Sequence, residues 1–146
     1  MLSKKVKYAI KALILLGKNS DVELNASKIA DTERIPKKSL DVILIELKNA
    51  GYLQSRKGTS GGYSLRIPAE QITMDKIVRL IDGPIARVYC ASIFHYHKCD
   101  ECHDEATCSI KRLYAAVRDQ EVKMLAATSI ADMIQKEIHL KQLTIS

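Results

Sequence analysis

The sequence predicts a mainly α-helical fold carrying one small β-hairpin, and three observations lead there. Apolar residues recur at spacings of three and four along much of the 146-residue chain, the periodicity of helices packed on a core. Two short extended runs flank a single Gly-rich, basic tip at 57–62, the pattern of a hairpin. A second helical block follows a stretch without any period, and that stretch holds all four cysteines.

The elements follow in order. Residues 2–17 read as a helix, with Val6, Ile10, Leu13 and Ile14 as its apolar face and Gly17 closing the pattern. Asn25 is a side-chain cap for a short second helix, Ala26 to Asp31, with Ile29 and Ala30 inward. Ile35-Pro36 breaks the chain and opens a third helix, Lys37 to Ala50, because proline's missing N–H is harmless at a helix start. Leu40, Ile43, Leu44 and Leu47 form its buried stripe, and Gly51 suits its C-terminal cap. Tyr52–Arg56 and Tyr63–Ile67 are the arms of the hairpin. Three helices followed by a hairpin is the order of a winged helix-turn-helix.

Beyond the hairpin, Thr73 is expected to cap a helix over 74–81 that stops before Asp82-Gly83-Pro84. A long helix is expected over 106–127, where Ile110, Leu113, Val117, Gln120, Met124 and Ala127 form a heptad-like seam suited to a partner helix. A last helix starts at Thr128 or Ser129, with Asp132 placed to complete a capping box. The domain reading is therefore a winged helix-turn-helix at 1–67, a connecting helix and Cys-rich loop at 68–105, and a dimerisation helix with a C-terminal helix at 106–146.

Composition narrows the function. Apolar residues make up 47% and charged residues 27% of the chain, which excludes a disordered segment and permits a packed core. No apolar run reaches the roughly 18 residues of a membrane span, since Lys11 interrupts the stretch from Ala9 to Leu16. No cleavable leader is recognisable, so a cytoplasmic protein is expected. The net charge of +6 is unevenly spread. Residues 1–66 carry 13 Lys/Arg against six Asp/Glu, and the remainder carries 10 against 11. A polyanion is drawn to the first half by charge attraction and counterion release. No phosphate loop, nucleophile elbow or general-base pair is present, so no enzymatic activity is expected; a plain protein-interaction module using the long helix is the alternative to a DNA-binding regulator.

The helix-turn-helix order directs the third helix into a DNA major groove. Lys37, Lys38, Ser39 and Asp41 then face base edges and phosphates, the lysines reaching guanine and the carboxylate accepting from cytosine N4. In the hairpin, Arg56 and Lys57 precede Gly58, Thr59, Ser60, Gly61 and Gly62, and a small, basic tip approaches a phosphate or a minor groove without a clash.

Together these features resemble the Rrf-type family of bacterial winged-helix transcriptional regulators, the group of IscR, NsrR and CymR. The resemblance rests on Leu2-Ser3 with Tyr8-Ala9, Ile29-Ala30, Ile35-Pro36, Leu47-Lys48-Asn49-Ala50-Gly51, Arg56-Lys57-Gly58 with Gly61-Gly62-Tyr63, Pro68, Ile72-Thr73, Asp82-Gly83-Pro84, the cysteines, and Ser129-Ile130-Ala131-Asp132. It implies a homodimer joined by the long helix on a palindromic double-stranded DNA operator, acting mostly as a repressor. It also implies that Cys90, Cys102 and Cys108 ligate an iron–sulfur cluster, of the [2Fe–2S] or [4Fe–4S] type. Two positions depart from the pattern. Lys7 stands where some relatives place an acidic ligand, and Lys111 where others place a histidine. The fourth donor is then Cys99, His103, His95, His97 or a group from the dimer partner.

The residues themselves leave other readings open. Cys99-Asp100-Glu101-Cys102 has zinc-knuckle spacing, and Cys90 with Cys108 completes a Cys₄ set. Without metal, Cys99 and Cys102 form a candidate redox pair, although the neighbouring carboxylates oppose thiolate formation. Inert buried thiols are the remaining alternative.

Overall fold

A computed structural model describes residues 1–146. Six α-helices and one two-stranded hairpin make up the chain: α1 Lys4–Lys18, α2 Ala26–Glu33, α3 Lys37–Asn49, β1 Leu53–Arg56, β2 Gly62–Leu65, α4 Met74–Asp82, α5 Ser109–Ala126 and α6 Ile130–Ile145. Single 3-10 turns lie at Ala69–Gln71 and Tyr89–Ala91. The mainly helical winged-helix class read from the sequence is the fold observed.

The helix ends show how local chemistry sets the boundaries. Helix α1 begins at Lys4, two residues later than expected, because the Ser3 hydroxyl accepts from the Val6 amide at 3.1 Å and the Ser3 amide donates to Asp82 at 3.1 Å. Gly17 does not end α1. It lies inside the helix, and a Cβ there would stand 2.7 Å from Ile134 Cδ1, so its bareness lets α6 pack close. Helix α2 continues to Glu33 and is closed by Arg34 in the left-handed region, φ 54°. Helix α3 ends in a Schellman motif, with the Tyr52 amide on the Leu47 carbonyl, the Gly51 amide on the Lys48 carbonyl, and Gly51 at φ 87°. The α6 capping box forms as expected, Ser129 accepting from the Asp132 amide at 3.1 Å and Asp132 accepting from the Ser129 amide at 2.8 Å.

Two expectations shift. The long helix starts at Ser109 rather than residue 106, because Cys108 is its N-cap. Thr73 precedes α4 but makes no side-chain cap, its hydroxyl donating instead to Asp75 at 2.6 Å. Backbone bonds hold that junction: the Met74 amide donates to Thr128 and the Ile130 amide to Ile72, at 2.9 and 2.8 Å.

One aliphatic core binds α1, α2, α3, β1 and α4 together and includes Ile130 of α6. It therefore draws on all three of the segments read as domains. Leu13, Ile29, Leu40, Ile43, Leu44, Leu47, Ile72, Ile77 and Ile130 are completely buried in it. Each such side chain contributes about 1.5–3 kcal/mol by leaving water. A Lys18–Glu137 ion pair ties α1 to α6. Helix α5 buries no residue at all. No helix is long and apolar enough to cross a membrane.

Candidate nucleic-acid interface and cysteine cavity

Helix α3 is two-faced. Its four buried residues, Leu40, Ile43, Leu44 and Leu47, seat it on the core. At about 100° per residue, Lys38, Val42, Ile45 and Asn49 form a stripe directly opposite that face, and all four are exposed. Lys37, Lys38 and Ser39 are exposed at the helix start. Lys37 is engaged by Asp41 one turn on, at 2.8 Å. Lys38 has no carboxylate partner. Beside its first turn, Ser39 and Val42 share a cleft of about 420 Å³ with Lys4, Lys5, Tyr8 and Pro36.

The hairpin pairs Leu53 with Leu65, Gln54 with Ser64, Ser55 with Tyr63 and Arg56 with Gly62. A third segment joins it, since the Leu24 and Tyr63 amides and carbonyls exchange bonds at 3.0 and 2.8 Å. That contact explains the paired glycines. A Cβ on Gly62 would stand 2.5 Å from the Leu24 carbonyl carbon, and one on Gly61 would stand 2.1 Å from the Arg56 carbonyl oxygen. Both glycines are required by the hairpin itself, and the Gly61 amide is occupied by Gly58 at 3.1 Å. Lys57, Gly58, Thr59 and Ser60 form the fully exposed tip. Arg56 is 3.5 Å from Glu23 yet its side chain stays 65% exposed, so it remains free to leave that carboxylate.

The second site lies between α4 and α5. Cys90, on the 3-10 turn, joins Cys99, Cys102 and Cys108 on the wall of one cavity of about 760 Å³. His97 also lines it; His95 and His103 do not. Cys99 is exposed and the other three are half-buried. The donor chemistry suits an iron–sulfur cluster, because soft thiolates are the ligands such iron prefers. The side chains are not drawn to a common centre: no three His, Cys, Asp or Glu groups stand close enough to hold one metal ion.

Local interactions push two of the thiols, Cys99 and Cys102, toward the protonated form. Cys99 donates to the Glu101 carboxylate at 2.9 Å, which pushes its pKa up and that of Glu101 down. Burial raises Cys102, and the nearby Cys108 raises it further. Neither member of the Cys99–Cys102 pair is therefore a ready thiolate at neutral pH.

The cavity is anchored to α5. The Cys108 Sγ accepts from the Lys111 amide at 3.4 Å as the N-cap of that helix. The Ala91 carbonyl, next to Cys90, accepts from the Arg118 guanidinium of α5. At the loop's far end, Tyr96 donates to Glu105 at 2.6 Å, Glu105 pairs with Lys111 at 3.2 Å, and Lys111 lies over the Tyr96 ring at 5.3 Å. The Glu105 carboxylate pushes the Tyr96 phenol up to about 12. Sequence reading missed this triad, because only the fold brings Tyr96 beside the first turn of α5.

Residues 2–136 match the Rrf2 family, described as iron-dependent transcriptional regulators. An rrf2-like HTH-type regulator of Rhodobacter capsulatus is 38% identical over 138 residues, covering 92% of each chain. NsrR of Bacillus licheniformis is 27% identical over 137 residues, covering 93% of each chain. The solved structure of CymR, the global cysteine regulator of B. subtilis, superimposes with a TM-score of 0.77 at 26% identity, covering 93% of this chain and 97% of CymR. This chain belongs to the Rrf2 family of transcriptional regulators.

Proposed function

We propose that the chain is a sequence-specific DNA-binding repressor, working as a homodimer, whose operator affinity is set by what its cysteine cavity holds. The observation that carries this reading is the outward stripe of α3, which stands clear of the core in a chain that also exposes the basic wing tip at Lys57. In this reading α3 enters the major groove with Lys37, Lys38, Ser39 and Asp41 at base edges and phosphates. Arg56, Lys57, Gly58, Thr59 and Ser60 reach the flanking backbone, and Gly61 and Gly62 shape the wing that presents them. Asp41 exchanges Lys37 for a cytosine amino group, which frees Lys37 for phosphate.

Two copies meet along α5. Its apolar residues Ile110, Leu113, Val117 and Met124 are 62%, 60%, 40% and 73% exposed in the single chain, which supports a partner helix over them. The resulting two-fold axis matches a palindromic operator. The functional division follows the segments 1–67, 68–105 and 106–146.

Cys90, Cys102 and Cys108 would hold an iron–sulfur cluster of the [2Fe–2S] type, with Cys99 as a further thiol donor on the same cavity wall; His103 lies outside the cavity. When bound, such a group supplies a redox-sensitive centre. The protein's own part is to transmit the state of those thiols. Cys108 caps α5 and Cys90 sits on the turn held by Arg118, so a change at either sulfur acts on the helix that joins the two copies.

Anaerobic purification with visible absorbance and iron, sulfide and zinc analysis tests the gating. Brown protein with iron and sulfide in about equal amounts is the expected result. Colourless protein with one zinc per chain would remove the iron–sulfur gate and leave the DNA reading standing. Random-site selection at low salt tests that reading. Lys38→Ala is expected to weaken every selected duplex and to lower the salt slope of binding by about one. Failure to select any duplex would remove it.

A further inference from the structure

The charges of α3 do not account for its outward face. Between Lys38 and Asn49 that face presents two aliphatic side chains, Val42 at 56% and Ile45 at 54% exposure. Single exposed aliphatics are ordinary on a protein surface. These two are set apart by position: they occupy the centre of the stripe opposite the core, and no other element of the chain covers them.

We propose that Val42, with Ile45 one turn further along, reads the 5-methyl groups of thymines in the operator's major groove. The proposal rests on the DNA-binding reading above and specifies which bases that reading favours. Charge complementarity identifies the occupant. Val42 shares its cleft with Lys4, Lys5 and Ser39, and Lys38 lies a turn before it on the same stripe. Lys5 is engaged by Glu46 at 2.6 Å, whereas Lys4 and Lys38 have no carboxylate partner. An apolar pair bordered by unpaired cations fits a polyanion that carries apolar spots. The major groove is such a surface, since thymine alone among the bases places a methyl group there.

The spacing agrees. Val42 and Ile45 are separated by about 4.5 Å along the helix axis, and successive bases by about 3.4 Å. The two side chains therefore reach thymines on neighbouring steps. Val42, in the second turn of α3, is the nearer to the groove floor, because a recognition helix contacts base edges with its N-terminal part.

The test starts from operators selected out of random duplexes by the wild-type protein. Each thymine of a half-site is then replaced by deoxyuridine, which removes the methyl group and nothing else. Wild-type protein is expected to lose roughly fourfold in affinity at one position, the weight of one buried methyl group, and less at a neighbouring one. Val42→Ala is expected to bring the thymine-to-uracil ratio at the first position to about one without changing the salt slope. Ile45→Ala is expected to do the same at the second. Both side chains are more than half exposed, so the variants should melt with the wild type. A ratio of one at every position in the wild-type protein, or a ratio that survives both substitutions, overturns the proposal alone. Failure to select any operator overturns it together with the DNA-binding reading.

Discussion

Helices α3 and α5 have similar apolar spacing and opposite surroundings. In α3, Leu40, Ile43, Leu44 and Leu47 are completely buried. In α5, the equivalent stripe of Ile110, Leu113, Val117 and Met124 stays at least 40% exposed, and no residue of the helix is fully buried. A period of three and four residues announces that a helix has an apolar face. It does not say whether the chain itself or something outside it covers that face. In the winged domain the covering is internal and complete. At α5 the chain covers a different face: Val122 and Leu125 pack on the core and the cysteine loop lies along the helix start, while the seam is left open.

Four substitutions break or sharpen that contrast, in order of their expected effect on folding. Leu47→Ala removes a fully buried side chain from the centre of the core, and a loss of about 2–5 kcal/mol is expected in urea unfolding. A loss below 1 kcal/mol would mean that the winged domain is not the rigid partner in the comparison. Gly62→Ala forces a Cβ against the Leu24 backbone and should lower stability by about 1–3 kcal/mol. Weaker operator binding should accompany it, because the wing is held through Leu24.

Ser129→Ala removes the capping box of α6 and should cost about 1 kcal/mol, read in the same unfolding experiment. Asp132 sets its pH dependence. The bonds from Ser129 hold its pKa below the usual 3.8. Stability from the capping box is therefore fully present above pH 3.8 and is lost as pH falls through the lowered folded value. The acid limb of the stability curve should flatten only in part in Ser129→Ala, because the backbone amide at 129, the larger cause of the lowered pKa, is kept.

Leu113→Ala should have the smallest effect on the unfolding of dilute monomer, within about 0.5 kcal/mol, because its side chain is 60% exposed. Its effect on self-association should be clear in sedimentation equilibrium, as a dissociation constant raised at least tenfold. Equal losses from Leu47→Ala and Leu113→Ala at every protein concentration would erase the distinction between the two helices.

Much of the winged domain was legible because its determinants are local. Pro36 at the start of α3, Gly51 past its end and Asn25 before α2 each act within a few residues, as does the Ser129–Asp132 box outside that domain. The same reading misjudged Gly17, Thr73 and the start of α5. Gly17 is explained by Ile134, a partner remote in sequence, and Thr73 by Asp75, whose carboxylate takes its hydroxyl. The start of α5 shifted because Cys108, counted as a ligand, is also a cap. In the cysteine region the spacing suggested a shared site, and the fold does bring all four thiols to one cavity. It also left His103 outside and tied the loop down through Tyr96, Glu105 and Lys111, none of which the spacing suggests.

The sequence by itself determined the order of helices and hairpin, the inward face of each winged-domain helix, the basic first half and the clustering of the thiols. Each of these depends on periodicity, capping or composition, which are properties of neighbouring residues. Only the tertiary structure decided that α6 packs on α1, that Leu24 completes the wing, that Arg56 is engaged by Glu23, and that the α5 seam is left uncovered. These depend on contacts between residues far apart in the chain, and no local pattern encodes which distant surface a face will meet.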